Sequence, residues 1–348
     1  MPDKSNVAFL GLGHMGSPMA LNLHRAGYRV AGFDVVPEAL QTARAQGIPV
    51  AGNALDALAG ADVVLTMFPS GRHVLDAYVG GAGRPGLLAA AQPGTMFLDC
   101  STINVDEARE AARLAVEAGH RSVDAPVSGG VVGAEAGTLT FMAGGDAADF
   151  EAVRPLLEVM GKRVVHCGGH GAGQAAKICN NLILGVSMIA VSEAFVLGEK
   201  LGLTHQALFD VASAASGQCW ALTTNCPVPG PVPASPANRD YQPGFAAALM
   251  AKDLNLAVNA LDSTGVVGEM GALAARIYDR FAAEGGAGRD FSAIITDIRE
   301  SSGRHAPGKA EHQDGEQHGG GAAAGENTGS KLTDRRRITT AHDDGSPE

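Results

Sequence analysis

Residues 7–34 read VAFLGLGHMGSPMALNLHRAGYRVAGFD. A short apolar run leads into three glycines with G-x-G-x-x-G spacing, Gly11-Leu12-Gly13-His14-Met15-Gly16. SPMALNLHRAG then carries helical spacing, and a second apolar run ends in Phe33-Asp34, eighteen residues beyond Gly16. In a chain with 47 glycines the triplet alone means little. Its flanks give it weight: a strand before, a helix after, and a carboxylate closing the next strand. Gly11 permits the tight turn, Gly13 lets a pyrophosphate approach the backbone, and Gly16 lets helix and strand pack closely. N–H groups at the helix start would then face the phosphates, where the helix dipole favours negative charge. Leu12, His14 and Met15 line this loop, and His14 is given no further role. Asp34 would accept hydrogen bonds from the adenosine ribose hydroxyls and repel a 2′-phosphate. Val35, Val36 and Pro37 supply no arginine to hold one. NAD is therefore the expected cofactor, in preference to NADP.

Outward from this stretch, strand-like and helix-like runs alternate to about Cys167. YRVAGFD, ADVVLTM, GTMFLD and HRSVDAP read as further buried strands. INVDEAREAARLAVEAG reads as a helix, with Asn104 or Asp106 near its start and Gly119 at its end. The alternation predicts an α/β Rossmann domain over 1–168, doubly wound around a mostly parallel sheet. From Gly173 to about Arg299 the apolar residues recur at helical spacing, predicting an all-α domain over 169–301. It opens with one long interdomain helix, roughly 174 to 201, apolar on most of its circumference. Such a helix must be covered on several sides, so a homodimer or homotetramer is expected. Residues 226–243, CPVPGPVPASPANRDYQP, predict an ordered or semi-ordered loop. Residues 302–348 have almost no aromatic or branched apolar residues and predict a disordered tail. Its histidines (His305, His312, His318 and His342) repeat no ligand spacing, so no metal site is expected.

The composition narrows the function classes. A chain of 348 residues with 45% hydrophobic and 18% charged residues is ordinary for a soluble two-domain protein. A net charge of −11, with no basic stripe apart from a short RRR, argues against a nucleic-acid partner. Cys100, Cys167, Cys179, Cys219 and Cys226 form no CxxC pair or zinc pattern and read as thiols in a reducing compartment. The first residues enter a strand without a signal or transit pattern. The uncharged run between Lys177 and Glu193 is shorter than the roughly 20 residues of a membrane span. A cytoplasmic location and no membrane partner are expected.

Lys177 stands at the head of that uncharged run, with Asn181 one helical turn later on the same face. Spacing alone favours a lysine snorkelling from a helix end. The competing reading is an acid/base aimed into a cleft. A free lysine, with pKa about 10.4, is a poor base at neutral pH, but desolvation and a second cation both push it down.

The motifs decide between the two. GLGHMGSPMALNL, LDCSTI (98–103), DAPVSGGVVGAEAGTLTFMAGG (124–145), GAGQAAKICNN (171–181), MAKDLNLA (250–257) and RDFSAII (289–295) follow one another in order. In them the chain resembles the β-hydroxyacid dehydrogenases over about residues 6–300. GQCWALTTNCPVPGPVPASPANRDYQPGF (217–245) makes it most similar to the 3-hydroxyisobutyrate dehydrogenase branch. The resemblance implies an active site in the cleft between the domains, where Lys177 is the general acid/base and Asn181 binds the substrate hydroxyl. It implies that Ser128, Gly129 and Gly130 hold the substrate carboxylate, as suits a hydroxyl beside two open backbone N–H groups. Lys252 would lie near nicotinamide and substrate, Asp253 would be structural, and Thr102 and Phe68-Pro69 would line the nicotinamide-ribose side. Many relatives have asparagine where this chain has His73. Related 6-phosphogluconate dehydrogenases carry an acidic residue seven places after the lysine. Leu184 stands there, so dehydrogenation without decarboxylation is expected. The implied activity is NAD-dependent oxidation of a small 3-hydroxy acid, 3-hydroxyisobutyrate, to methylmalonate semialdehyde in valine catabolism. The alternatives are reduction of another short semialdehyde acid (tartronate, succinic or glyoxylate type) or a catalytically silent binding module.

Overall fold

A computed structural model describes residues 5–81 and 83–304. Eight strands form one sheet: β1 (Asn6–Leu10), β2 (Arg29–Phe33), β3 (Val63–Thr66), β4 (Met96–Asp99), β5 (Arg121–Asp124), β6 (Val127–Ser128), β7 (Leu139–Gly145) and β8 (Gly161–Gly168). Their spatial order is β8-β7-β5-β4-β3-β1-β2, with β6 beside β7. Strands β2 through β5 pair in parallel across the sheet. β7 runs antiparallel to β5, and β8 runs parallel to β7.

The apolar runs form strands because both faces of each are covered. Successive side chains alternate between faces. Val7, Phe9, Leu65 and Leu98 enter one core, while Ala8, Leu10, Val64 and Phe97 enter the other. The chain passes from β1 outward to β2 and then back to β3 on the opposite side. That reversal opens a crevice beyond the carboxyl end of β1, where such sheets bind ligands. β7 and β8 were not among the strands read from the sequence. β8 is half-exposed along its length, so it presents no buried apolar run.

The helix Val105–Glu117 starts at Asn104, which shares a capping box with Glu107. After Gly168 the described residues contain no further strand, only helices and loops. The long helix spans Ala172–Lys200, close to the expected limits. Around it pack the helices Ala247–Thr264, Glu269–Phe281 and Ile294–Arg304, burying Met188, Phe195, Leu254, Tyr278 and Ile294. A Cβ on Gly185 would lie 2.9 Å from Leu254 Cδ2, so glycine there permits the close crossing of two helices. Contrary to the expectation from its uncharged run, the long helix is long and apolar enough to cross a membrane. Half of that apolar window is buried inside the fold, as in a core helix.

The proline-marked loop is ordered by its own hydrogen bonds. Ser235 Oγ donates to the Cys226 carbonyl, and the Tyr241 hydroxyl donates to the Pro227 carbonyl at 2.9 Å. The last helix continues to Arg304, past Ser302, where the sequence pattern begins the tail. The remainder of that tail, with its histidines, lies outside the described residues.

Candidate active site

The glycine loop has the shape of a phosphate cradle. Gly11 sits at φ +98°, and a Cβ there would be 2.3 Å from the Met67 carbonyl oxygen. A Cβ on Gly16 would be 1.9 Å from the Gly11 carbonyl oxygen, so neither position tolerates a side chain. Gly13 differs: nothing in the protein lies within 4 Å of its would-be Cβ. The helix Gly16–Arg25 begins at Met15 without a side-chain cap and without an acidic residue in its first turn. Ser17 N–H donates to the Gly13 carbonyl at 3.0 Å and Pro18 has no N–H, which leaves the Gly16 N–H for an anion. His14 is exposed, Leu12 is buried, and Met15 is half-buried against the sheet core. Asp34 is tied to the same loop, accepting from Leu12 N at 2.6 Å and Val36 N at 2.8 Å. These residues fit a dinucleotide: open backbone at Gly13, an uncapped helix start, and a carboxylate at the end of β2.

A buried carboxylate ties the next two loops together. Asp99, at the end of β4, accepts from Thr66 Oγ1 at 2.7 Å and from Ser101 Oγ at 2.6 Å. Ser101 Oγ in turn accepts from Phe68 N at 2.8 Å. Burial pushes the Asp99 pKa up against these hydrogen bonds. The Phe68-Pro69 and Thr102 segments are thus held side by side at the carboxyl ends of β3 and β4. Lys252 reaches across from the helix Ala247–Thr264 and donates to the Thr102 carbonyl at 2.9 Å and the Pro69 carbonyl at 3.4 Å. His73 pairs with Ser70, Nδ1 to Oγ 2.7 Å, at the start of the helix Gly71–Val79.

Asp124 stands beside Asp99 in the parallel register of β4 and β5. Its carboxylate accepts from Gly171 N at 2.7 Å and Gln174 N at 3.0 Å, holding the start of the long helix. Burial pushes its pKa up to about 6, opposed by those two backbone N–H groups.

From that anchored start the long helix turns one face into the protein, and Gln174, Lys177, Asn181, Gly185, Met188 and Ser192 lie along it. Lys177 is only 6% exposed. Burial pulls its pKa down; nearby Asp253 pushes it up, and Lys252 pulls it down again. Its Nζ lies 6.0 Å from the Phe245 ring centre. Asn181 Nδ2 donates to Asp253 Oδ2 at 2.5 Å, and Asn181 Oδ1 accepts from Asn180 Nδ2 at 2.9 Å. Asp253 Oδ1 lies 3.7 Å from Lys252 Nζ. Asp253 therefore orients Asn181 and favours the charged form of Lys177.

Ser128 ends the short strand β6, and Gly129 and Gly130 follow with φ of +134° and +63°. A Cβ on Gly130 would lie 2.7 Å from the Gly244 carbonyl oxygen. Asp290, buried, accepts from Gly244 N and Phe245 N at 3.0 and 3.1 Å and so fixes the segment facing Lys177. The structure thus brings together Lys177, Asn181, Lys252 and Thr102, ties Phe68-Pro69 to them, and sets Gly130 against the Phe245 segment. The reading of the sequence overlooked Phe245, Asp290, Gln174 and Asp124. All four stand in quoted stretches, but nothing in a one-dimensional pattern says which backbone or side chain a buried residue will meet.

Comparison with known proteins gives the family. The family model for the NAD binding domain of 6-phosphogluconate dehydrogenase matches residues 6–169. The model for NAD-binding of NADP-dependent 3-hydroxyisobutyrate dehydrogenase matches 171–298. A probable 3-hydroxyisobutyrate dehydrogenase of Mycobacterium tuberculosis is 54% identical over 295 residues, covering 85% of this chain and 98% of the relative. The chain belongs to the 3-hydroxyisobutyrate dehydrogenase family. A solved structure of Mycobacterium tuberculosis 3-hydroxyisobutyrate dehydrogenase with L-serine superposes with a TM-score of 0.81, covering 85% of this chain and 99% of that one. An NAD-dependent L-serine dehydrogenase of Pseudomonas aeruginosa is 48% identical over 83% of this chain and 96% of its own. Membership makes the protein an NAD-dependent hydroxy acid dehydrogenase, with its glycine loop and β2 carboxylate in the NAD-binding half.

Proposed function

We propose that this chain oxidises 3-hydroxyisobutyrate to methylmalonate semialdehyde with NAD, as a step of valine catabolism, and that Lys177 is its general acid/base. The observation that carries the reading is a nearly buried lysine, its pKa pulled down, with no hydrogen-bond acceptor among the described residues. When bound, the nicotinamide supplies the acceptor for the carbinol hydrogen and its electron pair. The hydroxyl proton passes to the neutral Lys177 amine, and in the reverse direction Lys177 returns it to the alkoxide. Asn181 keeps one amide N–H free of Asp253 for the same oxygen. Ser128, Gly129 and Gly130 hold the carboxylate, which fixes the distance from the carboxylate anchor to the reacting carbon. Leu184 cannot protonate the carbanion that loss of carbon dioxide would leave behind, so carbon dioxide is not released.

Asp34 favours NAD over NADP because a 2′-phosphate would meet its carboxylate. Ile183 and Leu197, 68% and 60% exposed on the long helix, support a second subunit as their cover. The unpaired state of all five cysteines suits the cytoplasm.

A second reading is oxidation of L-serine, also a short 3-hydroxy acid: one similar protein is named an L-serine dehydrogenase, and a similar solved structure is a 3-hydroxyisobutyrate dehydrogenase with L-serine. A purified-protein panel of 3-hydroxyisobutyrate, L-serine and other short hydroxy acids with NAD and NADP, followed by absorbance of the reduced cofactor, separates the readings. Lys177→Ala is expected to abolish turnover while NADH affinity stays within about threefold of wild type. Substantial residual turnover would remove Lys177 from its role.

A further inference from the structure

Gln174 lies three residues before Lys177 on the inward face of the long helix and is fully buried. Both ends of its side-chain amide are paired. Oε1 accepts from Ile103 N at 3.1 Å, and Nε2 donates to the Ser101 carbonyl at 2.7 Å. These are the two backbone groups flanking Thr102. Burying an amide costs free energy unless both ends are paired, and packing alone would be served as well by an apolar side chain. Two hydrogen bonds from one planar group fix both the separation and the angle between the helix and the loop.

The loop is held from the other side as well. The Thr102 carbonyl takes Lys252 Nζ, Lys252 neighbours Asp253, and Asp253 takes Asn181, which lies one turn beyond Lys177. Hydrogen bonds therefore grip the helix on both sides of Lys177. Gln174 closes the circuit on the side nearer the sheet, and Asp124 clamps the same turn through Gly171 N and Gln174 N.

We propose that Gln174 is a positioning residue that sets the height and tilt of the Lys177 amine relative to the Thr102 loop, and hence relative to the reacting carbon. This rests on the acid/base reading of Lys177. Its chemistry is geometric: Gln174 exchanges no proton and touches no substrate. A displacement of about 1 Å at the reacting centre is enough to lower turnover by about 100-fold.

The test compares Gln174→Met, which keeps the volume and removes both hydrogen bonds, with Gln174→Glu, which keeps the acceptor for Ile103 N. Lys177→Ala is run in the same assay. Rates are normalised to active sites titrated with NADH, and substrate deuterated at the carbinol carbon reports the isotope effect on kcat. For Gln174→Met the expected result is a kcat lower by about 100-fold, a hydroxy acid KM within about threefold, and a larger isotope effect. Gln174→Glu is expected to recover part of the loss, to within about tenfold of wild type. A purely structural role would lower the number of titratable sites and leave the isotope effect of the remaining sites unchanged; that result overturns the proposal. If Gln174→Met does not fold, Gln174→Glu decides: wild-type kcat and isotope effect overturn it, and a reduced kcat with an enlarged isotope effect supports it. Turnover by Lys177→Ala would instead sink the acid/base reading itself. Inactive Lys177→Ala beside normal Gln174→Met sinks only the positioning role.

Discussion

Asn181 and Asp253, 72 residues apart in the chain, share a hydrogen bond of 2.5 Å in the buried centre of the cleft. The same carboxylate faces Lys252 and pushes the Lys177 pKa up. One buried charge thus orients one proposed site residue and sets the basicity of another.

Asp253→Asn removes the anion that favours the protonated Lys177. The Lys177 pKa then falls, and the limb along which alcohol oxidation rises with pH moves to lower pH. Asn181 also loses its charged acceptor, so the plateau kcat is expected to drop by about tenfold. The pH profile of kcat/KM checks both, and a limb moving to higher pH would contradict the assignment.

Lys252→Met has the opposite sign. A like charge is lost, the Lys177 pKa rises, and the oxidation limb moves to higher pH. The Thr102 and Pro69 carbonyls also lose their donor, so the KM for NAD is expected to rise several-fold while Asp253→Asn leaves it nearly unchanged. Limbs displaced in the same direction by both variants would show that the two charges do not act on one amine.

Gly130→Ala places a Cβ 2.7 Å from the Gly244 carbonyl oxygen at a backbone φ of +63°. The strain is on the order of 1–3 kcal/mol. It should spread the proposed carboxylate-binding turn from the Phe245 segment. The expected outcome is a lower melting temperature together with a raised KM for the hydroxy acid. NADH affinity, measured by fluorescence titration, should stay near wild type because the glycine loop is untouched.

Asp124 makes stability depend on pH in a recognisable way. Its pKa is raised from 3.8 to about 6 in the fold, so the folded state holds a proton that the unfolded chain has already released. That contribution is fully present below pH 3.8 and is lost as pH rises through about 6. Its size is about 3 kcal/mol. Wild type and Asp124→Asn, unfolded in urea between pH 4 and 7, should diverge by this slope. A difference that stays constant with pH would mean that the carboxylate titrates normally in the fold.

Much of the fold was legible because each of its signals is local. The three glycines, the apolar run of β1 and Asp34 lie within one strand–helix–strand unit, and the helix period around Lys177 and Asn181 spans a single turn. β7 and β8 were not legible. β7 ends in glycines and β8 is half-exposed; they become strands only through pairing, β7 with β5 and β6, and β8 with β7. Asp253 was read as structural, without the partner that the fold gives it, Asn181. Its partner is distant in sequence, and no pattern in MAKDLNLA announces that contact.

By itself the sequence determined what depends on neighbours in the chain: where strands and helices alternate, which glycines must stay bare, and that Lys177 and Asn181 share a helix face. Only the tertiary structure decided which charges meet. Whether Lys177 is stripped of water, which carboxylate faces it, and which carbonyls Lys252 and Gln174 take are fixed by packing the helical half against the sheet edge. The physical reason is range. Backbone conformation and helical period act over a few residues, whereas desolvation and electrostatic coupling act through space between segments that the chain order keeps far apart.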